Sequence, residues 1–158
     1  GRMLEAIRRR GRDNARTPMQ WDGSVHAGFT SGTPWIGVNP NYRDINAEAQ
    51  RKDPDSVFQY YRKLIALRRA HPVAVYGDFT ELCADSGQVF AFVRRLEETA
   101  LLVVANLARE PAVFDLPEGL RFRESALYIA NYDCGDVPRS GVLRPYEAQA
   151  FRLEGVEG

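Results

Sequence analysis

The sequence has few of the residues that build metal sites and disulfide frameworks. Its 158 residues include two histidines, His26 and His71, and two cysteines, Cys83 and Cys134. Neither histidine has a partner at the spacing of metal ligands, and two cysteines so far apart indicate neither a disulfide framework nor a metal cluster. We therefore expect no metal and no cofactor, and free thiols that suit a reducing cytoplasm.

An excess of charge of one sign is also missing. The chain has 21 basic and 21 acidic residues, so its formal charge is zero. Nothing in this balance favours a nucleic-acid surface or an anionic membrane, and we expect neither partner. No apolar run is long enough to cross a bilayer, and no secretory leader is evident. A glycine-rich phosphate loop and a Gly-x-Ser-x-Gly elbow are absent as well.

A long segment without clear periodicity, residues 12–54, occupies a little over a quarter of the chain. Loops of this length are uncommon within compact domains and are usually functional or disordered. Disorder is not expected here, because Met19, Trp21, Phe29 and Trp35 are too apolar to leave in water. We interpret the segment as an ordered loop that packs on something this chain does not contain.

Two helices are predicted around this loop. Gly1 to Arg10 is a short helix that Gly11 ends. The clearest helix runs from Asp55 to His71. Asp55 or Ser56 caps it, Pro72 stops it, and His71 is interpreted as a structural residue at its end. One apolar face recurs at helical spacing: Val57, Tyr60, Tyr61, Leu64 and Ile65.

After Pro72 the pattern changes to short strands with turn signals between them. Val89 to Leu96 alternates between two faces, and Ala100 to Leu107 is apolar throughout, as a buried central strand would be. The other predicted strands are 79–84, 112–116, 125–130, 142–144 and 147–153. Short strands at this spacing predict an antiparallel sandwich, so the fold class is α+β.

The segment from Arg12 to Asp22 combines charged, amide and aromatic side chains. Such a loop could bind a sugar, since arginine offers a fork of donors to hydroxyl groups and tryptophan a flat apolar face. The alternative is that Arg12 and Arg16 only tie the loop to carboxylates and carbonyls. Residue types alone favour this structural alternative.

The stretch GRDNARTPMQWD, Gly11 to Asp22, resembles a signature of glycoside hydrolase family 13 in its oligo-1,6-glucosidase and α-glucosidase group. Further blocks match the group in order along the chain: AGFT at 27–30, PWIGVNPNYRDIN at 34–46, DSVFQYYRKLIALRR at 55–69, VYGDF at 75–79 and LRPYEA at 143–148. The resemblance covers essentially the whole sequence.

The resemblance implies a fragment of a larger enzyme. Residues 1–72 would be the last loop and helix of a catalytic (β/α)8 barrel, and residues 73–158 a C-terminal antiparallel β-sandwich domain. The implied activity is that of a retaining, exo-acting α-glucosidase on short oligosaccharides, most simply α-1,6. Trehalose-6-phosphate hydrolases and sucrose isomerases belong to the same group and stay open, as does a non-catalytic β module.

The resemblance also assigns the residues of the barrel loop. Arg12 matches a residue that binds the terminal glucose, so it is the predicted substrate-binding residue. The catalytic carboxylates of the family lie upstream, and Asp13 and Asp22 match other positions. The remaining motif residues are interpreted as scaffolding: Asp13, Asn14, Arg16, Gln20 and Trp21. The chain alone is therefore expected to be inactive, with the missing barrel part as its partner.

For the β domain we weigh two roles. It could stabilise the barrel, or it could bind carbohydrate by itself. The strands show no obvious platform of exposed aromatic residues, so the stabilising role is favoured.

Overall fold

The computed structural model describes residues 2–157, apart from the side chains of Arg2, Arg8 and Asn14. The described chain forms two compact units, Gly1–Lys63 and Leu64–Gly158. The boundary expected near Pro72 concerns the family's domains, and it stays a prediction.

The helices are α1 (Arg2–Arg10), α2 (Ala47–Lys52), α3 (Val57–Ala70) and α4 (Val73–Tyr76). Three short 3-10 helices, 12–15, 25–28 and 40–43, lie between α1 and α2. The helix predicted at 1–10 is confirmed over residues 2–10, and Gly1 lies outside the described residues. The helix predicted at 55–71 is confirmed with small shifts at its ends. Ser56 is the residue that caps α3, because its hydroxyl oxygen accepts from the Gln59 amide at 3.3 Å.

Two of these helices were not predicted. The loop expected at 12–54 contains α2, which Asn46 caps by accepting from the Ala49 amide at 2.9 Å. The region after Pro72 begins with the single turn α4 and not with a strand. Both helices are so short that apolar periodicity cannot reveal them, and the Asn46 cap was the only local signal for α2.

Seven strands follow in the second unit. They are β1 (Asp78–Glu81), β2 (Val89–Leu96), β3 (Thr99–Asn106), β4 (Ala112–Asp115), β5 (Glu124–Ala130), β6 (Ser140–Leu143) and β7 (Ala148–Glu154). All seven correspond to predicted strands, and only the end residues differ. The two faces predicted for β2 are confirmed, since Val89, Ala91 and Val93 are buried while Phe90 is exposed.

The strands form two antiparallel sheets with one shared core. The larger sheet has the order β1-β2-β3-β7-β5, and β4 pairs with β6. Buried side chains of both sheets form one cluster in which Leu102, Phe114, Phe151 and Leu153 are at most 2% exposed. Strand β3 lies at the centre of the larger sheet, as its apolar sequence predicts. The α+β class with an antiparallel β domain is therefore confirmed.

Two arginines hold α4 within the second unit. Arg68 donates from Nη1 to the Ala74 carbonyl at 2.6 Å, and Arg94 donates to the Val75 and Gly77 carbonyls at 2.7–3.2 Å. Gly77 follows α4 where two backbones approach closely. A Cβ there would lie 2.7 Å from the Val73 carbonyl oxygen, so the position requires glycine.

Candidate functional site

Arg12, the predicted sugar contact, opens the 3-10 helix that follows α1. Gly11 separates the two helices and donates its amide to the Ile7 carbonyl at 2.7 Å. A side chain at Gly11 would place its Cβ 2.6 Å from that carbonyl oxygen, so the tight junction needs glycine. Arg12 itself is exposed and forms no ion pair with any residue that the structure describes. Its guanidinium donors therefore face solvent in this chain.

The second arginine of the motif is used locally. The Nη2 atom of Arg16 lies 2.5 Å from the Asp13 carboxylate, and the Arg16 amide donates to the Asp13 carbonyl at 3.0 Å. Both side chains of this pair are more than half exposed, so the pair organises one turn and adds little to stability. The two arginines thus differ: Arg16 pairs within the 3-10 turn, and Arg12 does not.

Gln20 and Trp21 attach the motif to the start of α2. The Gln20 side chain donates from Nε2 to Asn41 Oδ1 at 3.1 Å and also to the Ile45 carbonyl. The carbonyls of Gln20 and Trp21 accept the Ala47 and Glu48 amides, each at 2.9 Å. These amides lie in the first turn of α2, where they have no partner within the helix. The motif therefore satisfies the exposed donors of the next helix.

Asp22 closes a tight turn. One of its carboxylate oxygens accepts the Ser24 amide at 2.8 Å and the Ser24 hydroxyl at 2.5 Å. The hydroxyl bond, followed by the amide bond, holds the pKa of Asp22 below its ordinary value. The other carboxylate oxygen lies against Gly28, where an added Cβ would be 2.5 Å away. The Asp22 carboxylate is thus engaged in hydrogen bonds within the turn.

The same turn places consecutive residues in the left-handed backbone region. His26 and Ala27 have φ values of 56° and 57°, and Gly28 has 65°. The Ala27 carbonyl accepts both the Trp21 and the Asp22 amides, at 2.9 and 3.2 Å. Left-handed conformations of residues other than glycine are unfavourable and persist where surrounding bonds impose them. The turn is therefore a defined structure within a loop that lacks periodicity.

The first unit leaves most of its large apolar side chains exposed. Among the residues that the structure describes, its buried apolar residues are the small Pro18 and Ala27. Trp35 is 89% exposed and Phe29 49% exposed, and α3 buries none of its side chains. An open groove of about 900 Å³ lies between the motif, α2 and the start of α3. Its large apolar lining residues are Met19, Trp21 and Phe58, and we call it the Trp21 groove. Arg12 does not line it.

In the second unit, three phenylalanines form an unpredicted cluster. Phe92 lies 5.1 Å from Phe79 and 5.4 Å from Phe90 between ring centroids. Phe79 is 54% exposed and Phe90 is 39% exposed. The cluster includes exposed rings, and the expectation that the strands show no obvious platform of exposed aromatic residues stays a prediction. Sequence alone did not reveal the cluster because Phe79 and Phe92 meet only through the pairing of β1 with β2.

His71 has a structural position, as predicted. Its Nδ1 atom lies 3.0 Å from the Leu67 carbonyl oxygen, and its ring lies 5.2 Å from that of Tyr128. Tyr128 is buried, and its hydroxyl is the one buried side-chain polar atom without a partner in the part of the chain that the structure describes. Burial raises the pKa of Tyr128.

The cysteines and acidic residues provide no site of their own. Cys83 and Cys134 are free, half-buried thiols, and burial raises the pKa of each. Within residues 2–157, no group of three or more His, Cys, Asp or Glu side chains could hold a metal ion. None of the helices described is both long and apolar enough to cross a membrane.

Comparison with known proteins gives a consistent result. Residues 2–77 match the family model described as "Alpha amylase, catalytic domain". The chain is 46% identical to the oligo-1,6-glucosidase of Bacillus cereus over 97% of its own length and 28% of that protein. It is 39% identical to the trehalose-6-phosphate hydrolase of Bacillus subtilis over 93% of its length and 27% of that protein.

Solved structures agree with the sequence comparison. The trehalose-6-phosphate hydrolase of Bacillus licheniformis superposes with a TM-score of 0.91 and 35% identity, over 97% of this chain and 28% of that one. The trehalulose synthase of Pseudomonas mesoacidophila superposes with a TM-score of 0.82 and 38% identity, over 90% of this chain and 26% of that one. The chain thus spans little more than a quarter of the length of these relatives.

Proposed function

The chain belongs to glycoside hydrolase family 13, and we propose that it is part of a retaining, exo-acting α-glucosidase that hydrolyses terminal α-1,6-glucosidic bonds of short oligosaccharides. The observation that carries the proposal is the 46% identity to an oligo-1,6-glucosidase over 97% of this chain. In this proposal the first unit completes a catalytic barrel, and the β-sandwich domain stabilises it. The intact enzyme works in the cytoplasm.

Arg12 is the substrate-binding residue of this part of the enzyme. Its guanidinium forms charge-assisted hydrogen bonds to hydroxyl groups of the terminal glucose, which are stronger than bonds between neutral groups. Its exposure and its lack of an ion-pair partner among the described residues support this role. The neighbouring Asp13–Arg16 pair and the Gln20 contacts support a scaffolding role for these three residues, and the side chain of Asn14 lies outside the described part of the chain.

The chemistry itself belongs to residues outside this chain. Retaining hydrolysis needs two carboxyl groups about 5 Å apart, one as nucleophile and one as acid and base. Asp22 is held in its turn by Ser24 and Asp13 is paired with Arg16, so neither is free for such a role. We expect the chain alone to release no glucose.

The test is the activity of the full-length protein that contains this chain. Pure enzyme should release glucose from isomaltose and from p-nitrophenyl α-glucoside, and the initial product should be the α-anomer by nuclear magnetic resonance. Trehalose 6-phosphate and sucrose serve as competing substrates. Preferred hydrolysis of the first, or isomerisation of the second, would replace the α-1,6 assignment. Glucose release by the isolated chain would refute its dependence on upstream carboxylates.

A second candidate function, carbohydrate binding by the β domain, has one observation in its favour. The exposed Phe79 and Phe90 rings, with the half-buried Phe92 between them, offer apolar faces on which a sugar could stack. Their planes are inclined by 35° and 51°, so the cluster is not flat. Calorimetric titration of the chain with malto- and isomalto-oligosaccharides tests this function. A saturable heat of binding that Phe79→Ala abolishes would establish carbohydrate binding. The absence of any binding heat would favour the stabilising role.

A further inference from the structure

Gly11 joins α1 to the 3-10 helix at 12–15 with no other residue between them. Its backbone angles, φ −67° and ψ 126°, are extended ones that any residue adopts. Gly11 is therefore not the left-handed cap that glycine commonly supplies at a helix end. Glycine is needed here because of a contact: a Cβ would lie 2.6 Å from the Ile7 carbonyl oxygen.

This contact is with backbone, so no side-chain movement relieves it. The same Ile7 oxygen accepts the Gly11 amide at 2.7 Å, which holds the junction closed. A side chain at position 11 would have to widen the separation from 2.6 Å to at least 3.0 Å. The start of the 3-10 helix would move with it, and the first residue displaced would be Arg12.

The position of the Arg12 guanidinium depends on this junction. The side chain is exposed and has no ion-pair partner among the residues that the structure describes. The backbone, in contrast, is held on both sides. Gly11 lies against Ile7 on one side, and on the other the Asp13 carbonyl accepts the Arg16 amide at 3.0 Å. What the guanidinium can reach is therefore set by where the backbone starts.

We propose that Gly11 is a positioning residue for substrate binding, whose missing side chain lets α1 and the 3-10 helix approach closely enough to aim Arg12 at the terminal glucose. This inference rests on the proposed function, in which Arg12 binds that sugar. Hydrogen bonds form only over about 2.7–3.2 Å, and binding groups must be held within about 0.5 Å of the productive geometry. The displacement that a Cβ at position 11 requires is comparable with this tolerance.

A double-variant cycle in the full-length protein tests the proposal, with kcat/KM for isomaltose as the readout. Gly11→Ala should lower kcat/KM by about 10-fold or more, since small misplacements of a binding group are costly. In an Arg12→Ala background the same change should lower it by no more than about 2-fold, because the contact that Gly11 positions is already gone. Gly119→Ala is the control and should leave kcat/KM unchanged, because its Cβ would have no neighbour within 4 Å.

The cycle separates positioning from a purely structural role. If Gly11 only supported the fold, Gly11→Ala would reduce activity by the same factor with and without the Arg12 side chain. Equal factors in the two backgrounds would therefore overturn the proposal. Urea unfolding of every variant, followed by circular dichroism, shows whether the kinetics refer to folded protein.

An insertion keeps the test decisive even where Gly11→Ala does not fold. One extra glycine between Gly11 and Arg12 places no Cβ against Ile7, yet it moves Arg12 by up to one residue length, about 3.8 Å. This variant should lose about as much activity as Arg12→Ala, roughly 100-fold, and the insertion should add no more than about 2-fold to Arg12→Ala itself. An insertion variant with normal kinetics would refute the positioning role.

The outcomes also distinguish this inference from the proposed function. A severe loss in Arg12→Ala together with normal kinetics in Gly11→Ala refutes the role of Gly11 alone. Near-normal kinetics in Arg12→Ala refutes both, because Gly11 then has no substrate contact to position. Non-additive losses measured on another substrate, such as trehalose 6-phosphate, would support Gly11 and replace the α-1,6 assignment.

Discussion

Glu147 is the residue whose removal best tests how the β domain is held together. Its side chain is 6% exposed, and the carboxylate accepts three hydrogen bonds from Arg144: the amide at 2.7 Å, Nε at 3.0 Å and Nη2 at 2.8 Å. Its carbonyl accepts the Asn106 amide at 2.8 Å. The residue thus fixes the turn between β6 and β7, in the block that reads LRPYEA in the sequence.

The expected loss of stability follows from the hydrogen-bonding groups that each substitution leaves without a partner. Glu147→Ala removes the acceptor of the part-buried Arg144 amide bond. A fully buried donor without a partner costs about 1–3 kcal/mol, so this change should cost no more than that. The Arg144 guanidinium is half exposed and turns to water, so we assign no further energy to the ion pair. Glu147→Gln keeps one oxygen for the amide and should cost about 1 kcal/mol or less.

The effect should also depend on pH. Hydrogen bonds from Arg144 lower the pKa of Glu147 in the folded chain. A carboxylate with a lowered folded pKa stabilises the fold at pH values above its unfolded pKa of about 4.3. This stability is lost as the pH falls through the folded value. The Glu147→Gln variant has no titrating group at this position. The difference in unfolding free energy between the wild type and this variant should therefore be constant above about pH 5 and shrink below about pH 4.

The assay is urea unfolding of the chain, followed by far-ultraviolet circular dichroism at pH 7 and at pH 3. The reasoning fails if Glu147→Ala costs less than Glu147→Gln at pH 7. It also fails if the difference between wild type and Glu147→Gln is the same at both pH values.

Three further predictions concern the core, a backbone contact and the site. Phe151→Ala should destabilise the β domain by about 3–5 kcal/mol in urea unfolding, because the ring is 1% exposed and its removal leaves a cavity. A loss of stability below about 1 kcal/mol would contradict the placement of Phe151 in the core. Gly77→Ala should lower the free energy of unfolding by about 1–3 kcal/mol in the same assay, since its Cβ would lie 2.7 Å from a backbone oxygen. Gly87→Ala is the control and should cause no such loss, because its Cβ would have no neighbour within 4 Å. Under the proposed function, Arg12→Ala in the full-length protein should lower kcat/KM for isomaltose by roughly 100-fold or more, whereas Arg43→Ala, at another exposed arginine, should change it little. Near-normal kinetics of Arg12→Ala would remove Arg12 from the site.

Much of the architecture could be predicted because it depends on local pattern. The alternation of β2 requires a strand with one buried face, and the apolar run of β3 requires burial on both faces. Asp55 and Ser56 were both recognisable as candidate caps of α3, and Ser56 is the one that caps it. α2 and α4 escaped prediction because six and four residues are too few to show a helical period.

The sequence by itself determined the family, through GRDNARTPMQWD and the blocks that follow in order, and it determined the alternation that builds the β domain. Only the tertiary structure decided which polar side chains are engaged in ion pairs or hydrogen bonds within the chain. It paired Arg16 with Asp13, bound Asp22 to Ser24, and left Arg12 without an ion-pair partner among the described residues. It also brought Phe79 against Phe92 and assembled the Trp21 groove. The physical reason is that hydrophobic periodicity is a property of neighbouring residues along the chain, whereas hydrogen bonds, ion pairs and grooves depend on distances between segments that folding alone brings together.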